Sequence, residues 1–245
     1  MGRIEGGYRG PDIVSNGLVL YLDAGSPNSY RTDFGTTWKD MSGNGNNGTM
    51  YGTVPFETDG GNSFNFATVT SPNNSTNASL GFTFASNMIP SLGSFTLSAW
   101  IKNPPTTVMQ SSLFSNTDGP NGFRWGVGLN GVYVLIGPTY SETTLFWSST
   151  LSNSLWYYIT TIFDRSGTNS SGTPQWQSYL NGVYVTATNM QSSQTALPNQ
   201  LPGIVRRGCC ELYTGKLSTF KTYNRALSSS EILQNYNAQK SRFGL

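Results

Sequence analysis

The chain has 245 residues, only 11% of them charged, and its 14 Lys and Arg against 12 Asp and Glu leave a formal net charge of +2. That balance argues against a nucleic-acid surface, which needs clustered cations. Histidine is absent, which excludes His-based acid–base catalysis, Ser–His–Asp triads and imidazole metal sites. No apolar run approaches the roughly 20 residues of a membrane helix. The first eleven residues lack the apolar core of a signal peptide, so synthesis in a cytoplasm is expected. Cys209 and Cys210 are adjacent and cannot staple distant parts of the chain. Two reduced thiols are the simplest state, with a vicinal disulfide or an intermolecular bridge as the alternative.

Residues 1–16 read as a Gly-rich extended arm with too few apolar side chains to fold alone. Such an arm needs something to lie against, and Arg3, Ile4, Tyr8, Arg9, Pro11 and Ile13 are its candidate assembly contacts. Leu18–Leu22 is apolar throughout and predicts a strand buried on both faces or central in a sheet. Between residues 36 and 49 a strand runs into a Gly/Asn loop whose Asn-Gly steps suit positive φ. Its amides could bind a sugar or a metal, but a plain turn is favoured. Ser63–Ala67 is a short strand, and residues 71–93 read as a polar, irregular loop.

Residues 94–102 alternate cleanly. Phe95, Leu97, Ala99 and Ile101 face one way and Thr96, Ser98, Trp100 and Lys102 the other, the pattern of a half-buried antiparallel strand. Pro104 and Pro105 end it. The hexapeptide Leu-Asn-Gly-Val-Tyr-Val occurs at 129–134 and again at 180–185. Each copy predicts a hairpin through a type I′ Asn-Gly turn. Between the two, Leu155–Phe163 is a strong strand. At the end of the chain, Leu217, Thr219, Lys221 and Tyr223 alternate with Ser218, Phe220 and Thr222. Ser228 then stands three residues before Glu231, the spacing of a capping box. A helix follows, with Ile232, Leu233 and Tyr236 as its apolar stripe.

The run Tyr223-Asn-Arg-Ala-Leu-Ser228, with that helix, resembles the closing signature of laminin-G-like domains of the concanavalin A-like lectin/glucanase type. Gly17–Gly25 resembles the opening strand of that family, residues 36–49 its next landmark, and 94–102 its inner strand. Many relatives carry Asp-Gly-Val-Asp-Asp where this chain has Ala67-Thr-Val-Thr-Ser71, which removes carboxylates that would suggest calcium. The resemblance and the strand spacing imply an all-β, two-sheet antiparallel jelly-roll sandwich over 17–245 with one short C-terminal helix. The Arg242-Phe-Gly-Leu245 ending and Gly10-Pro-Asp-Ile-Val14 resemble structural proteins of tailed-bacteriophage virions.

A retaining glycosidase needs two carboxyl groups about 5 Å apart. Glu57-Thr-Asp59 is the one Glu-x-Asp run, and it sits in a Gly-rich turn, so no enzyme, catalytic residue, cofactor or metal is expected. Trp38, Trp125, Trp147, Trp156 and Trp176 could stack on sugar rings, although aromatics at strand spacing are more often core. The function expected is a virion structural protein, decorating or cementing the capsid or belonging to neck or tail, and assembling through its arm. Its partners would be other virion proteins and sister subunits in a homo-oligomer such as a trimer, with neither nucleic acid nor membrane. The alternative is a carbohydrate-binding module for attachment to host-surface glycans.

Overall fold

The computed structural model describes residues 11–67, 80–91, 93–102, 111–116, 122–128, 131–137, 151–152, 154–167, 172–189, 201–205 and 212–245. Its strands are β1 (Leu18–Asp23), β2 (Thr37–Trp38), β3 (Gly48–Tyr51), β4 (Phe56–Glu57), β5 (Ser63–Asn65), β6 (Gly81–Thr83), β7 (Phe95–Lys102) and β8 (Ser111–Ser115). They continue with β9 (Gly122–Gly128), β10 (Gly131–Gly137), β11 (Trp156–Asp164), β12 (Gln175–Leu180), β13 (Val183–Asn189), β14 (Gly203–Ile204) and β15 (Lys216–Tyr223). Helix α1 (Ser229–Gln239) and a 3₁₀ segment (Lys240–Phe243) close the chain.

Two antiparallel sheets result, one of eight strands and one of seven. The larger runs β13-β12-β11-β7-β15-β5-β4, with β1 also paired to β15; the smaller runs β10-β9-β8-β14-β6-β3-β2. The expected all-β sandwich with one C-terminal helix is what forms. Its main core lies between the sheets, where the Phe95, Leu97, Ala99 and Ile101 face of β7 meets Phe114, Phe123 and Trp125. Aromatic edges interlock across the gap, with Phe95 and Phe123 centroids 5.5 Å apart and Phe114 and Phe220 5.0 Å apart. The buried Trp125 indole donates to Thr161 Oγ1 at 2.7 Å, which spares it the cost of an unmet donor.

Several expectations need correction. Strand β7 is buried on both faces rather than half-buried, because α1 and the 3₁₀ segment cover its outer side. Trp100 stacks on Phe243 at 3.9 Å and on Tyr236 at 5.7 Å there. Strand β1 is not central. It pairs only with residues 219–223 of β15, while β5 pairs with Lys216 and Leu217 along the same edge. The Gly/Asn loop covers the other side of β1: Asp40 accepts the Tyr21 N–H, and Ser42, Asn44 and Asn46 donate to the Leu18 and Val19 carbonyls. Those side chains are spent on a strand edge, which is how an edge is protected from further pairing.

Residues 80–89 are not a plain loop either. Leu80, Phe82 and Phe84 alternate into the core around β6, and Met88 and Ile89 follow them. In β15 the strict alternation breaks at a register shift between Leu217 and Thr219. A bulge inserts one residue, so Leu217 joins Phe220 in the main core while Lys221 and Tyr223 turn to the helix side. The capping box forms as expected at Ser228 and Glu231. The buried face of α1 is Ile232, Asn235 and Gln239, with Leu233 44% exposed. The helix therefore lies across the outer face of the larger sheet. Polar residues face inward because they serve buried polar groups: Asn235 takes the Val14 N–H and donates to the Tyr223 hydroxyl, and Gln239 accepts from Lys221 Nζ at 2.7 Å.

Lys221 is fully buried. Tyr21 and Asp23 of β1, Tyr158 of β11, Gln239 of α1 and Arg242 of the 3₁₀ segment surround it. Burial lowers its pKa from 10.5 to about 7, Asp23 working against the fall and Arg242 with it. Between those values the unfolded chain binds the proton more tightly than the folded one, so stability rises with pH across that window. Above about pH 10 the buried tyrosines, raised by burial, reverse the trend. Urea titrations should show a gain of about 2 kcal/mol from pH 7 to pH 9. Lys221→Met should flatten that rise. A wild-type stability that does not change between pH 7 and 9 would contradict the assignment.

Candidate functional site

The helix covers only part of the outer face. Beyond its N-terminus the face opens into a cleft of about 660 Å³ over β11, β12 and β13. Strand alternation sets the floor: Ile162 and Asp164 of β11 and Gln175, Gln177 and Tyr179 of β12 point the same way. The opposite wall is Ala226–Ser229, the approach to α1. Thr96 fixes that wall, because its hydroxyl donates to the Arg225 carbonyl at 2.9 Å and accepts the Leu227 N–H at 3.1 Å. The Arg225 guanidinium holds Glu231 at 2.9 Å. That bond, with smaller help from the Ser228 cap against a burial cost, keeps the Glu231 carboxyl at a pKa of about 2.

Tyr184 of β13 forms the outer lip and is 52% exposed. Its ring meets Tyr179 edge-on at 5.6 Å, and the Tyr179 hydroxyl reaches Ser229 Oγ at 2.9 Å across the cleft. Tyr184 is held by the second hexapeptide. Asn181 and Gly182 have φ of 50° and 81°, the two positive values a type I′ turn requires, and Leu180 pairs with Val183. The first hexapeptide differs: Gly128 pairs with Gly131, and the two residues between them lie outside the described residues. The Asn-Gly step therefore does not occupy the middle of that turn as expected.

The described lining offers amides, hydroxyls and one half-exposed aromatic ring. Asp164 is the one carboxylate among the described residues lining it. Glu57 and Asp59 lie elsewhere, in a clamp where Lys216 Nζ meets both, at 2.7 and 2.9 Å. Lys102 Nζ and Trp156 Nε1 also bind Asp59, at 3.1 Å each. Burial alone would raise the Asp59 pKa, but bonds from Lys216, Lys102 and Trp156 outweigh it and bring it to about 2. Bonds from Asn65 and then Lys216 lower that of Glu57. Neither acid keeps a proton for a leaving group at neutral pH, the opposite of what a glycosidase acid requires. Among the described residues no group of three or more Cys, Asp and Glu could hold a metal ion, and no helix is long and apolar enough to cross a membrane.

Of the arm residues singled out in the sequence, Arg3, Ile4, Tyr8 and Arg9 lie outside the described residues. Pro11 is exposed and Ile13 half-buried, on a segment docked along α1. Gln234 donates to the Asp12 carbonyl, Asn235 accepts the Val14 N–H and the Tyr223 hydroxyl donates to the Val14 carbonyl. Trp38, Trp125, Trp156 and Trp176 are all buried; Trp147, Cys209 and Cys210 lie outside the described residues. Exposed aromatic surface at the cleft comes from Tyr184, which sequence reasoning passed over. The one signal for it was Val-Tyr-Val straight after a two-residue turn.

The chain belongs to the concanavalin A-like lectin/glucanases superfamily, whose laminin-G-like family model matches residues 59–233. A comparison with curated protein sequences gives no match. Among solved structures, the chain is similar to domain 4 of AbnA, an extracellular arabinanase of Geobacillus stearothermophilus, in complex with arabinotriose. The TM-score is 0.65 at 14% identity, over 89% of this chain and 98% of that one. It is also similar to a botulinum neurotoxin type C structure, a toxin that depends on interaction with two ganglioside molecules to enter cells, with a TM-score of 0.69 at 14% identity. The binding domain of botulinum neurotoxin DC in complex with rat synaptotagmin II gives 0.66 at 13%. The chain spans about half the length of these two toxin chains, 52% of each, while 92% of it is covered.

The clamp carries a pH signature. The folded-state pKa of Asp59 lies below its ordinary 3.8, so its stabilising effect is present above that value and is lost as pH falls toward 2. In denaturant titrations Asp59→Asn should be less stable than the wild type at pH 6, with the gap closing between pH 4 and 2. A gap independent of pH would show that the clamp does not act through charge.

Proposed function

We propose that this protein is a non-catalytic glycan-binding module whose ligand lies in the cleft between the β12–β13 hairpin and the approach to α1. One observation carries this: the half-exposed Tyr184 ring stands beside Gln175, Gln177, Tyr179 and Ser229. An apolar sugar face can stack on the ring while the amides and hydroxyls match ring hydroxyls. The structural neighbours support it, being binding domains of toxins and an arabinanase domain holding arabinotriose. Absence of catalysis is supported by the charge-locked Glu57 and Asp59 and by the lone carboxylate among the described cleft residues. On a glycan array the wild type should bind a defined set of oligosaccharides, and Tyr184→Ala should weaken that binding at least about tenfold. Its melting temperature should hold, since the ring is half in solvent. Retained binding in that variant, or hydrolysis of a bound glycan, would sink the reading.

A second reading places the module on a virion, with residues 1–10 reaching a capsid, neck, tail or sister subunit as an assembly arm. Its support is the docking of residues 12–16 along α1 and β15, which gives an arm a fixed point of departure, together with the resemblance of both chain ends to phage structural proteins. The packing also defines the truncation. Removing residues 1–10 should leave a folded, soluble domain and abolish incorporation into particles. Removing 1–14 should also cost stability, because Val14 is buried in the helix-side cluster. Normal incorporation of the shorter truncation would overturn the arm's role.

A further inference from the structure

We propose that Asn16-Gly17, where the arm joins β1, is a site at which the folded chain modifies itself, by deamidation and isomerisation to isoaspartate. An Asn-Gly step suits the reaction because glycine has no Cβ to hinder its amide. The glycine N–H gives up its proton, and the nitrogen bonds to the Asn side-chain carbonyl carbon. The C–N bond of the carboxamide then breaks, ammonia leaves and a five-membered succinimide remains. Water opens the ring to Asp or to the β-linked isoaspartate. Nothing is oxidised or reduced.

Four Asn-Gly steps lie wholly within the described residues, and the structure ties down three of them. Asn181 Oδ1 accepts the Tyr158 N–H at 2.9 Å, and Gly182 is buried beside Leu233 and Tyr236. Asn47 Oδ1 accepts the Asp40 N–H at 2.9 Å, and Gly48 is buried in β3 opposite Trp38. Asn44 is exposed, but its Nδ2 donates to the Leu18 and Val19 carbonyls and to Ser42 Oγ. Asn16 is exposed, and its side chain makes no hydrogen bond among the described residues. The turn around it is closed by the Leu18 N–H on the Ser15 carbonyl at 3.1 Å, with Gly17 at a φ of 75°. A tethered carboxamide must first break its bonds, each of which slows the reaction about tenfold.

The product does not fit the present packing. Isoaspartate adds one methylene to the backbone between residues 16 and 17 and leaves an α-carboxylate where the Asn16 carbonyl stood. On one side, Val14 is held by Asn235 and by the Tyr223 hydroxyl. On the other, Leu18 pairs with Tyr223, and the Gly17 carbonyl accepts the Asn224 N–H at 2.9 Å. With both ends fixed, the added length has to break one of these holds. The Asn16 carbonyl also accepts Arg225 Nε at 3.0 Å, so the new carboxylate competes for the guanidinium that binds Glu231. Conversion therefore loosens residues 12–16 from α1.

The test ages the full chain in mildly alkaline buffer, folded or in urea. Its peptides are then mapped by mass spectrometry with isoaspartate-specific methylation. In the folded chain Asn16 should convert at least about tenfold faster than Asn44, Asn47 and Asn181. In urea the four rates should draw together, because the tethering bonds are gone. Asn16→Gln, whose longer side chain would have to close a six-membered ring, should remove the isoaspartate and leave the fold intact. Folded-state conversion no faster at Asn16 than at the other three overturns the site. Aged wild type should also exchange amide hydrogens faster over residues 12–18 than equally aged Asn16→Gln. Equal exchange there, in material shown to be converted, overturns the loosening while the site stands.

Discussion

The stack of Trp100 against Phe243 is the contact on which the architecture depends. A sheet inside a sandwich has one face to bury, but the larger sheet here has two, because Trp100, Trp156, Tyr158, Ile162 and Tyr223 stand on its outer side. Fully burying one large aromatic side chain is worth about 1.5–3 kcal/mol, so that face cannot be left to water. Phe243 lies against the Trp100 indole at an interplanar angle of 14°, and also meets Trp156 at 5.0 Å. Helix α1 is the means of bringing it there. Arg242, one residue earlier, fixes the same segment by donating to Asp23 at 2.7 Å and to the Ser218 hydroxyl at 2.9 Å.

The cleft follows from the same constraint. The helix begins at Ser229, and the sheet continues past it through β12 and β13. The strip left beyond the helix carries Asp164, Gln175 and Gln177 where the covered strip carries Trp100, Trp156, Tyr158 and Tyr223. Along β11 the change falls between Ile162 and Asp164; along β12 it falls between Tyr179 and the two glutamines. Cleft and covered core are therefore two ends of one sheet face, divided by where the capping box starts the helix.

Local chemistry was the part of the structure legible in the residues. Ser228 and Glu231 announce their cap because the spacing itself makes the bonds. Asn181-Gly182 announces its turn because both positions need positive φ. What escaped was set by distant partners. Leu217 changes face through a bulge that no alternation reveals, and Leu233 lies outward because Asn235 and Gln239 are needed inward for Tyr223 and Lys221. Leu18–Leu22 looks central by composition, yet it lies beside β15 with a loop on its far edge. Tyr184 looks like any strand aromatic, and its exposure depends on β13 being the last strand of its sheet. The four described tryptophans singled out for sugar stacking are held in the core.

Strand β15 pairs with β7 on one side and with both β1 and β5 on the other. The first strand of the domain and the short β5 thus wait for a partner that lies near the far end of the chain. During synthesis the larger sheet has no centre until Tyr223 has left the ribosome, and its outer face stays bare until Phe243 follows. Folding of this domain is consequently a late, concerted event dominated by distant pairings, the class that folds slowly and leaves strand edges exposed meanwhile. A chain stopped before β15 would hold two halves of a sheet with nothing to join them.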